Sequence, residues 1–268
     1  MPVTVATWNI NSVRLRADTV HRFLARWRPD ILCLQETKCP DGQFPHGRFK
    51  RLGYRWLAAK GQPGYHGVAI LSRIPMAEIG TRQFCGKNDA RHVSALFEAG
   101  RPFLVHSLYV PAGGDEPDPE INPKFAHKLA FLDEMESWLP EIASASVHPS
   151  IVVGDLNVAP HEHDVWSHKQ LLKVVSHTPV ETERLLKLQA AGRWIDVMRQ
   201  HVPLEQKLYT WWSYRARDWE AADRGRRLDH VWLDPRLDGA CSRLEVVREA
   251  RGWPQPSDHV PVIATLDL

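Results

Sequence analysis

Eight short apolar runs, most of them rich in β-branched residues and each ending near a polar or turn residue, recur along the whole chain. They read "VTVATWN" (3–9), "DILCLQE" (30–36), "GVAILS" (67–72), "HVSALFE" (92–98), "FLVHSLYV" (103–110), "SIVVGDLN" (150–157), "LDHVWL" (228–233) and "VPVIATL" (260–266). Runs of this length and composition predict strands. Helical stretches lie between them. In "ADTVHRFLARW", Val20, Phe23, Leu24 and Trp27 share one face, and Pro29 stops the helix. In "KFAHKLAFLDEMESWLPEI", Phe125, Leu129, Leu132, Leu139 and Ile142 form a second stripe. "VETERLLKLQAAG" (180–192) is a third, with Gly192 placed to cap it. The mixture predicts an α+β chain, two packed sheets flanked by helices. The Pro-, Gly- and acid-rich segment 111–123 is too short to divide domains and reads as a surface loop, so 1–268 is expected to be one domain.

Composition narrows the class. With 43% hydrophobic and 25% charged residues, the 268-residue chain has the make-up of an ordinary soluble domain with a sizeable core. Its net charge of +2, from 34 basic and 32 acidic residues, leaves the distribution of charge to decide the partner. The four cysteines, Cys33, Cys39, Cys85 and Cys241, show no C-x-x-C spacing, which favours reduced thiols and a cytoplasmic setting. The first residues, "MPVTVATWNI", begin a strand at once and lack the basic and apolar regions of a signal peptide. No segment reaches the ~18 apolar residues of a membrane span. No oligomerisation helix is evident, so a monomer is expected.

The strand boundaries carry the chemistry. Asn9 and Glu36 end the first two strands, Tyr109 lies near the end of the fifth, and Asp155 and Asn157 end the sixth. Asp229 and His230 open the seventh, and Asp258 and His259 precede the last. Singly, each has an ordinary explanation. Asp155–Asn157 reads as a turn whose side chains bond their own backbone, Asn9 and Glu36 as caps, Asp258 after Ser257 as an ordinary turn before a strand, and Tyr109 as half-buried packing. Five such boundaries together favour a shared rim, since in antiparallel sheets the end of one strand lies beside the start of the next. Two residues apart in a strand, Asp155 and Asn157 point to the same side. Clustered carboxylates repel unless protonated or bridged by a cation, and oxygen ligands of this kind suit Mg²⁺.

At these positions the chain resembles the exonuclease III family of the endonuclease/exonuclease/phosphatase (DNase I-like) superfamily. The matching pieces are "TWNINSVR" (7–14), "PDILCLQETK" (29–38), "GYHGVAILSR" (64–73), "SLYVPAG" (107–113), "VVGDLNVAP" (152–160), "TWWSYRA" (210–216), "GRRLDHVW" (225–232) and "PSDHVPV" (256–262). They arrive in the family's order over nearly the whole length. The resemblance implies a four-layered α/β sandwich with two mixed sheets, and Mg²⁺-dependent phosphodiester hydrolysis in DNA, with Mn²⁺ as a substitute. It makes Glu36 the principal metal ligand, with Asn9 and Asp258 nearby. Asp155 orients or deprotonates the attacking water, and Asn157 donates to the scissile phosphate. His259, paired with Asp229, contacts that phosphate, and Tyr109 lies on the leaving-group side. Asp155, Asn157 and His259 stand close enough in this pattern to be counted with the metal site. The catalytic set is then Tyr109, Asp155, Asn157, Asp229 and His259.

The segment "YTWWSYRARDWEAADRGRR" (209–227) interleaves aromatic residues with arginine. Arginine neutralises phosphates and aromatic faces stack on bases, which makes Trp211, Trp212 and Arg215 candidate DNA contacts. By the resemblance, Trp211 packs beside a flipped-out or terminal nucleotide, while Trp212 is its partner or points inward. Arg91 and His92, and Lys60, Tyr65 and His66 around "GYHG", are candidate backbone contacts. "HEHD" (161–164) followed by His168 invites a zinc reading, but no cysteine is near and a polar loop beside the site is favoured. Family members that incise strongly at abasic sites tend to have a small residue near 168. His168 is bulky, so 3′-end processing of nicked or blunt duplex DNA (3′→5′ exonuclease, 3′-phosphodiesterase or phosphatase) is placed ahead of AP endonuclease action. The competing expectations are a superfamily enzyme acting on lipid, inositol or RNA, and a non-catalytic DNA-binding relative. A base-excision-repair enzyme of this kind would be cytoplasmic, associated with the nucleoid through DNA.

Overall fold

The computed structural model describes residues 2–268. In chain order the strands are β1 (Pro2–Asn9), β2 (Ile31–Gln35), β3 (Trp56–Lys60), β4 (Val68–Ser72), β5 (Met76–Gly80), β6 (His92–Phe97) and β7 (Phe103–Tyr109). They continue with β8 (Ser150–Asp155), β9 (Ile195–Asp196), β10 (Trp211–Trp212), β11 (Gly225–Arg226), β12 (Asp229–Leu233), β13 (Cys241–Val246) and β14 (Val262–Asp267). The helices are α1 (Ala17–Trp27), α2 (His46–Lys50), α3 (Pro123–Ala145), α4 (His168–Leu171), α5 (Pro179–Ala191), α6 (Val197–His201) and α7 (Trp219–Ala222).

Two six-stranded sheets, ordered β13-β14-β1-β2-β4-β3 and β5-β6-β7-β8-β12-β9, carry the fold, and β10 and β11 form a separate short hairpin. Val3, Val5, Ile31 and Cys33 from the first sheet meet Val93, Val105, Ile151 and Val231 from the second in a dry central core. The alternate residues face outward. Ala6, Trp8, Leu32 and Leu34 pack under Phe23 and Leu24 of α1, and Leu108 and Val152 under Phe131, Leu132 and Leu185 of α3 and α5. Both faces of each sheet are therefore covered, which gives the four layers and explains why the central strands read as unbroken apolar runs. Among the described residues no helix is long and apolar enough to cross a membrane.

Six strands carried no expectation from sequence. Four of them, β3, β5, β9 and β13, are the four sheet edges. Edge strands meet solvent on one side and carry polar residues that break the apolar run, as in the largely exposed "MAEIG" of β5. The other two form the two-residue hairpin β10–β11.

Strand pairing also corrects the reason for the shared rim. The sheets are mixed: β1 runs parallel to β2 and β7 parallel to β8. Asn9 pairs with Gln35 and Tyr109 with Asp155, so C-terminal ends coincide in both pairs. Antiparallel β12 brings its first residue, Asp229, opposite Asp155.

Candidate active site

Gly154 has φ of 142°, and a Cβ there would stand 2.0 Å from the Leu108 carbonyl oxygen. Only glycine lets β8 approach β7 this closely, and the next residue is Asp155. The strand ends at Asp155, and Asn157 takes a left-handed φ of 54°. The two side chains still meet, but through this turn and not through the pleat of a strand. Asn157 donates its backbone N–H to Asp155 Oδ1 at 2.9 Å and its Nδ2 to Asp155 Oδ2 at 3.1 Å. Leu156 between them is buried in the core under α3 and α5. The second hydrogen of Asn157 Nδ2 goes to Val110 O at 2.8 Å. The amide N–H groups expected to face a phosphate are thus engaged within the protein, and Oδ1 is the atom left free.

Asn9 links the two sheets. Its Nδ2 donates to Asp155 Oδ2 at 2.8 Å and to Glu36 Oε1 at 3.0 Å, while its Oδ1 accepts the Asn11 N–H. This geometry makes Asn9 a positioning residue between two carboxylates. Glu36 takes a left-handed φ of 49° just past β2. It accepts the Tyr109 hydroxyl at 2.9 Å and pairs with Lys38 Nζ at 2.8 Å. Burial alone would raise its pKa, but Lys38, Asn9 and Tyr109 outweigh burial and hold the carboxyl below its ordinary value. Lys38 also donates to Asn11 Oδ1 at 2.6 Å, and Asn11 Nδ2 donates to Asp258 Oδ1 at 3.2 Å. Lys38 and Asn11 thereby tie Glu36 to Asp258. Both residues sit inside motifs visible in the sequence, "NINS" and "QETK", yet their roles needed the fold.

His259 Nδ1 lies 2.8 Å from Asp229 Oδ2, and its Nε2 lies 3.7 Å from Asp155 Oδ2. Burial would lower the imidazole pKa. Asp229 and then Asp155 overcome it and push His259 up to about 10, so it is an imidazolium at neutral pH. Burial is also the largest influence on Asp155, lifting it to about 7. The indole of Trp8, unnoticed in the sequence, fixes the backbone here by donating to His259 O at 2.9 Å.

Glu36, Asp155, Asn157, Asp258 and His259 line one cleft of about 590 Å³. Two places in it suit a cation. Asp155, Asp229 and His259 bring three ligand atoms within 4.8 Å of one another. There, however, the imidazolium already supplies the positive charge and the Asp229 bond occupies Nδ1. Glu36 and Asp258 also line the cleft, as does Asn157 with its Oδ1 unbonded, and carboxylate and amide oxygens are the hard donors that Mg²⁺ takes. The residues therefore fit a divalent ion.

The remaining candidates divide. Trp211 lines the cleft, donates to Asp258 Oδ2 at 3.0 Å, and forms a bridge with His259. Arg215 lines the same cleft, exposed. Trp212 does not: it is 1% exposed, packs edge-on to Tyr209 and Trp219, and bonds Asp223. As its neighbour on a strand, it must point to the opposite side from Trp211. Arg91 is also buried, paired with Asp89 at 3.0 Å and lying 4.9 Å over the Tyr109 ring. It steadies Tyr109 and is not a surface contact. His92 is buried against His106. Tyr65 is exposed, whereas His66 leans on Tyr109. His168 is exposed, with Nδ1 2.8 Å from Nε2 of buried His177, whose Nδ1 lies 2.6 Å from Ala159 O. Asp164 of "HEHD" is bound by Arg227 and Arg199 in a buried ion network, which removes it as a zinc ligand.

A profile of the Endonuclease/Exonuclease/phosphatase family matches residues 6–259. Exodeoxyribonuclease III of Haemophilus influenzae is 28% identical over 96% of this chain and 97% of its own length. Among solved structures, an AP endonuclease from Archaeoglobus fulgidus superposes with a TM-score of 0.89 at 29% identity, covering 99% of this chain and 100% of that one. The 3′ phosphatase NExo from Neisseria, bound to a product DNA hairpin, gives 0.89 at 28% identity with the same coverage. The chain belongs to the endonuclease/exonuclease/phosphatase family, in the exonuclease III group.

Proposed function

We propose that this protein is a Mg²⁺-dependent DNA phosphodiesterase that works mainly at 3′ ends, as a 3′→5′ exonuclease and 3′-phosphodiesterase or phosphatase. Its family relations make it a DNA-repair nuclease. The observation that carries the reading is one connected set: Glu36 joined through Asn9 to Asp155, with His259 and Asp229 beside it. Glu36 and Asp258, with Asn157 Oδ1, are the residues to hold the cation. When bound, it offsets the phosphate charge and stabilises the leaving 3′ oxygen, and Mn²⁺ substitutes for it.

The chain's own groups do the rest. Asp155, buried and raised to about 7, takes the proton of the attacking water with little energetic mismatch at neutral pH. His259 donates from Nε2 to a phosphate oxygen as charge builds there. Asp229 holds the ring in that orientation. Tyr109, fixed by Glu36 and Arg91, stands on the leaving-group side. Trp211 and Arg215 receive the DNA.

Abasic-site incision is expected to be weak. His168 stands two residues past Trp166, which lines the cleft. Its bond to His177 holds the bulky ring in place. There it crowds the continuous strand at an internal abasic site more than at a frayed 3′ end. Nicked, blunt-ended and abasic-site duplexes, each with Mg²⁺ or with chelator, test both parts. No Mg²⁺-dependent cleavage of any duplex would sink the reading. His168→Gly should increase abasic-site cleavage, and no gain would remove the role given to His168 alone.

A further inference from the structure

Beyond Trp211 the cleft changes character. Its lining also includes Arg215, Arg224 and Arg226, with Trp166, Ser176 and Asp115. Arg226 differs from the other two in being held fast. Its Nη1 donates to Val175 O at 3.0 Å and to Ser176 Oγ at 2.8 Å, and its guanidinium lies 5.2 Å from the centre of the Trp211 ring. Nε is buried without an acceptor, and Nη2 makes no hydrogen bond with the protein. No carboxylate lies within 4 Å of it among the described residues. Burial pulls its pKa below the ordinary arginine value, and Glu181, the one carboxylate acting on it, is already bonded to Lys128. A half-buried cation with no counter-charge is costly unless something anionic arrives to meet it. The position is informative too. One indole, Trp211, separates Arg226 from Asp258.

We propose that Arg226 is a specificity-determining residue that makes this end of the cleft a seat for an anionic group carried beyond the scissile phosphate. The preferred 3′ ends would then bear a carboxylate or a second phosphate, and uncharged ends of the same size would be poorer substrates. The inference rests on the 3′-end reading above. For a 3′-phosphoglycolate end, one water is consumed. Its hydroxyl goes to phosphorus, the P–O3′ bond breaks, and the 3′ oxygen takes the proton, leaving a 3′-hydroxyl and free phosphoglycolate.

The test uses nicked duplexes with three 3′ ends: phosphoglycolate, the neutral phospho-2-hydroxyethyl ester, and an ethyl ester ending in phosphate. The full chain with Mg²⁺ should process the two anionic ends with kcat/KM about tenfold or more above the neutral end, as charge-assisted hydrogen bonds allow. Arg226→Gln should bring both ratios to about one, and Arg226→Lys should keep part of the preference. Preference for one anion alone identifies which source the seat takes. A wild-type ratio near one for both anions would overturn the inference while leaving the 3′-end reading intact, and so would ratios unchanged in Arg226→Gln. Because the wild-type ratio needs no variant to fold, that arm stands by itself. Failure to cleave any of the three ends would remove the 3′-end reading and the inference together.

Discussion

His259 Nδ1 and Asp229 Oδ2 lie 2.8 Å apart with Asp229 fully buried, and this contact decides the charge the site presents to a phosphate. Burial lowers the imidazole pKa, and Asp229 is the largest of the influences that overcome it, ahead of Asp155 and Asp258. Asp229→Asn removes the negative charge and keeps the shape. Turnover should fall by roughly 10²-fold or more, in the range seen when a donor to transition-state charge is weakened. An NMR titration should show the His259 pKa moving down from about 10. A variant that keeps both its rate and its imidazolium would remove Asp229 from the role assigned to it.

Glu36 and Asp258 line the cleft and are proposed to seat the divalent ion, whereas the triad of Asp155, Asp229 and His259 carries its own positive charge. Glu36→Gln should weaken Mg²⁺ or Mn²⁺ binding by at least about tenfold, the scale on which even supporting partners of a metal ligand act. Calorimetric titration without DNA reads this directly. Unchanged affinity in Glu36→Gln, together with a loss in Asp229→Asn, would move the ion to the triad.

Much of this site is legible in the sequence, because strand ends are marked by a change from apolar to polar residues. Asn9, Glu36, Tyr109, Asp155, Asp229 and His259 all fall at such marks, and pairing brings them to one rim. Side-chain direction is harder to read. Nothing in "TWWSY" says which tryptophan faces out, because a two-residue strand has no pattern to extend. Arg91 likewise reads as a surface cation until the fold lays it across Tyr109. Arg226 was visible only as one basic residue among many. Its isolation from carboxylates is a tertiary fact.

The two tryptophans should therefore behave differently. Trp212→Ala empties a core position and should cost about 3–5 kcal/mol of stability, read as a lower urea midpoint. Trp211→Ala, partly exposed at the cleft, should cost less stability and weaken DNA binding by about 1–3 kcal/mol, the usual worth of an aromatic stacked on a base. If Trp211→Ala binds DNA as the wild type does, the aromatic wall of the cleft is not a nucleotide contact.

Acid should destabilise the fold well above the pH at which carboxylates titrate. His92 and His106 stack against each other in the layer under α3, and His230 sits beside Arg227. Burial is the largest cause in all three, lowering His106 to about 4, His230 to about 3, and His92 well below its ordinary value. The unfolded chain takes up these protons near pH 6.5, and the native state does so only far lower. Between those limits the unfolded state binds more protons, so stability falls as pH falls. Each such histidine contributes a slope of about 1.4 kcal/mol per pH unit. Asp155 opposes one of the three, because its raised pKa of about 7 lets the native state bind a proton first. His259, raised to about 10, adds stability that is complete below pH 6.5 and lost only as pH climbs toward 10, so it does not act in this window. The net expectation is that stability falls as pH falls from about 6 toward 4, the buried histidines outweighing Asp155. Urea unfolding of the cation-free protein at pH 6.5, 5.5 and 4.5 measures it, and His106→Gln should flatten the slope by about one histidine's share. A midpoint that stays constant across this range would mean that the buried rings take up protons in the native state.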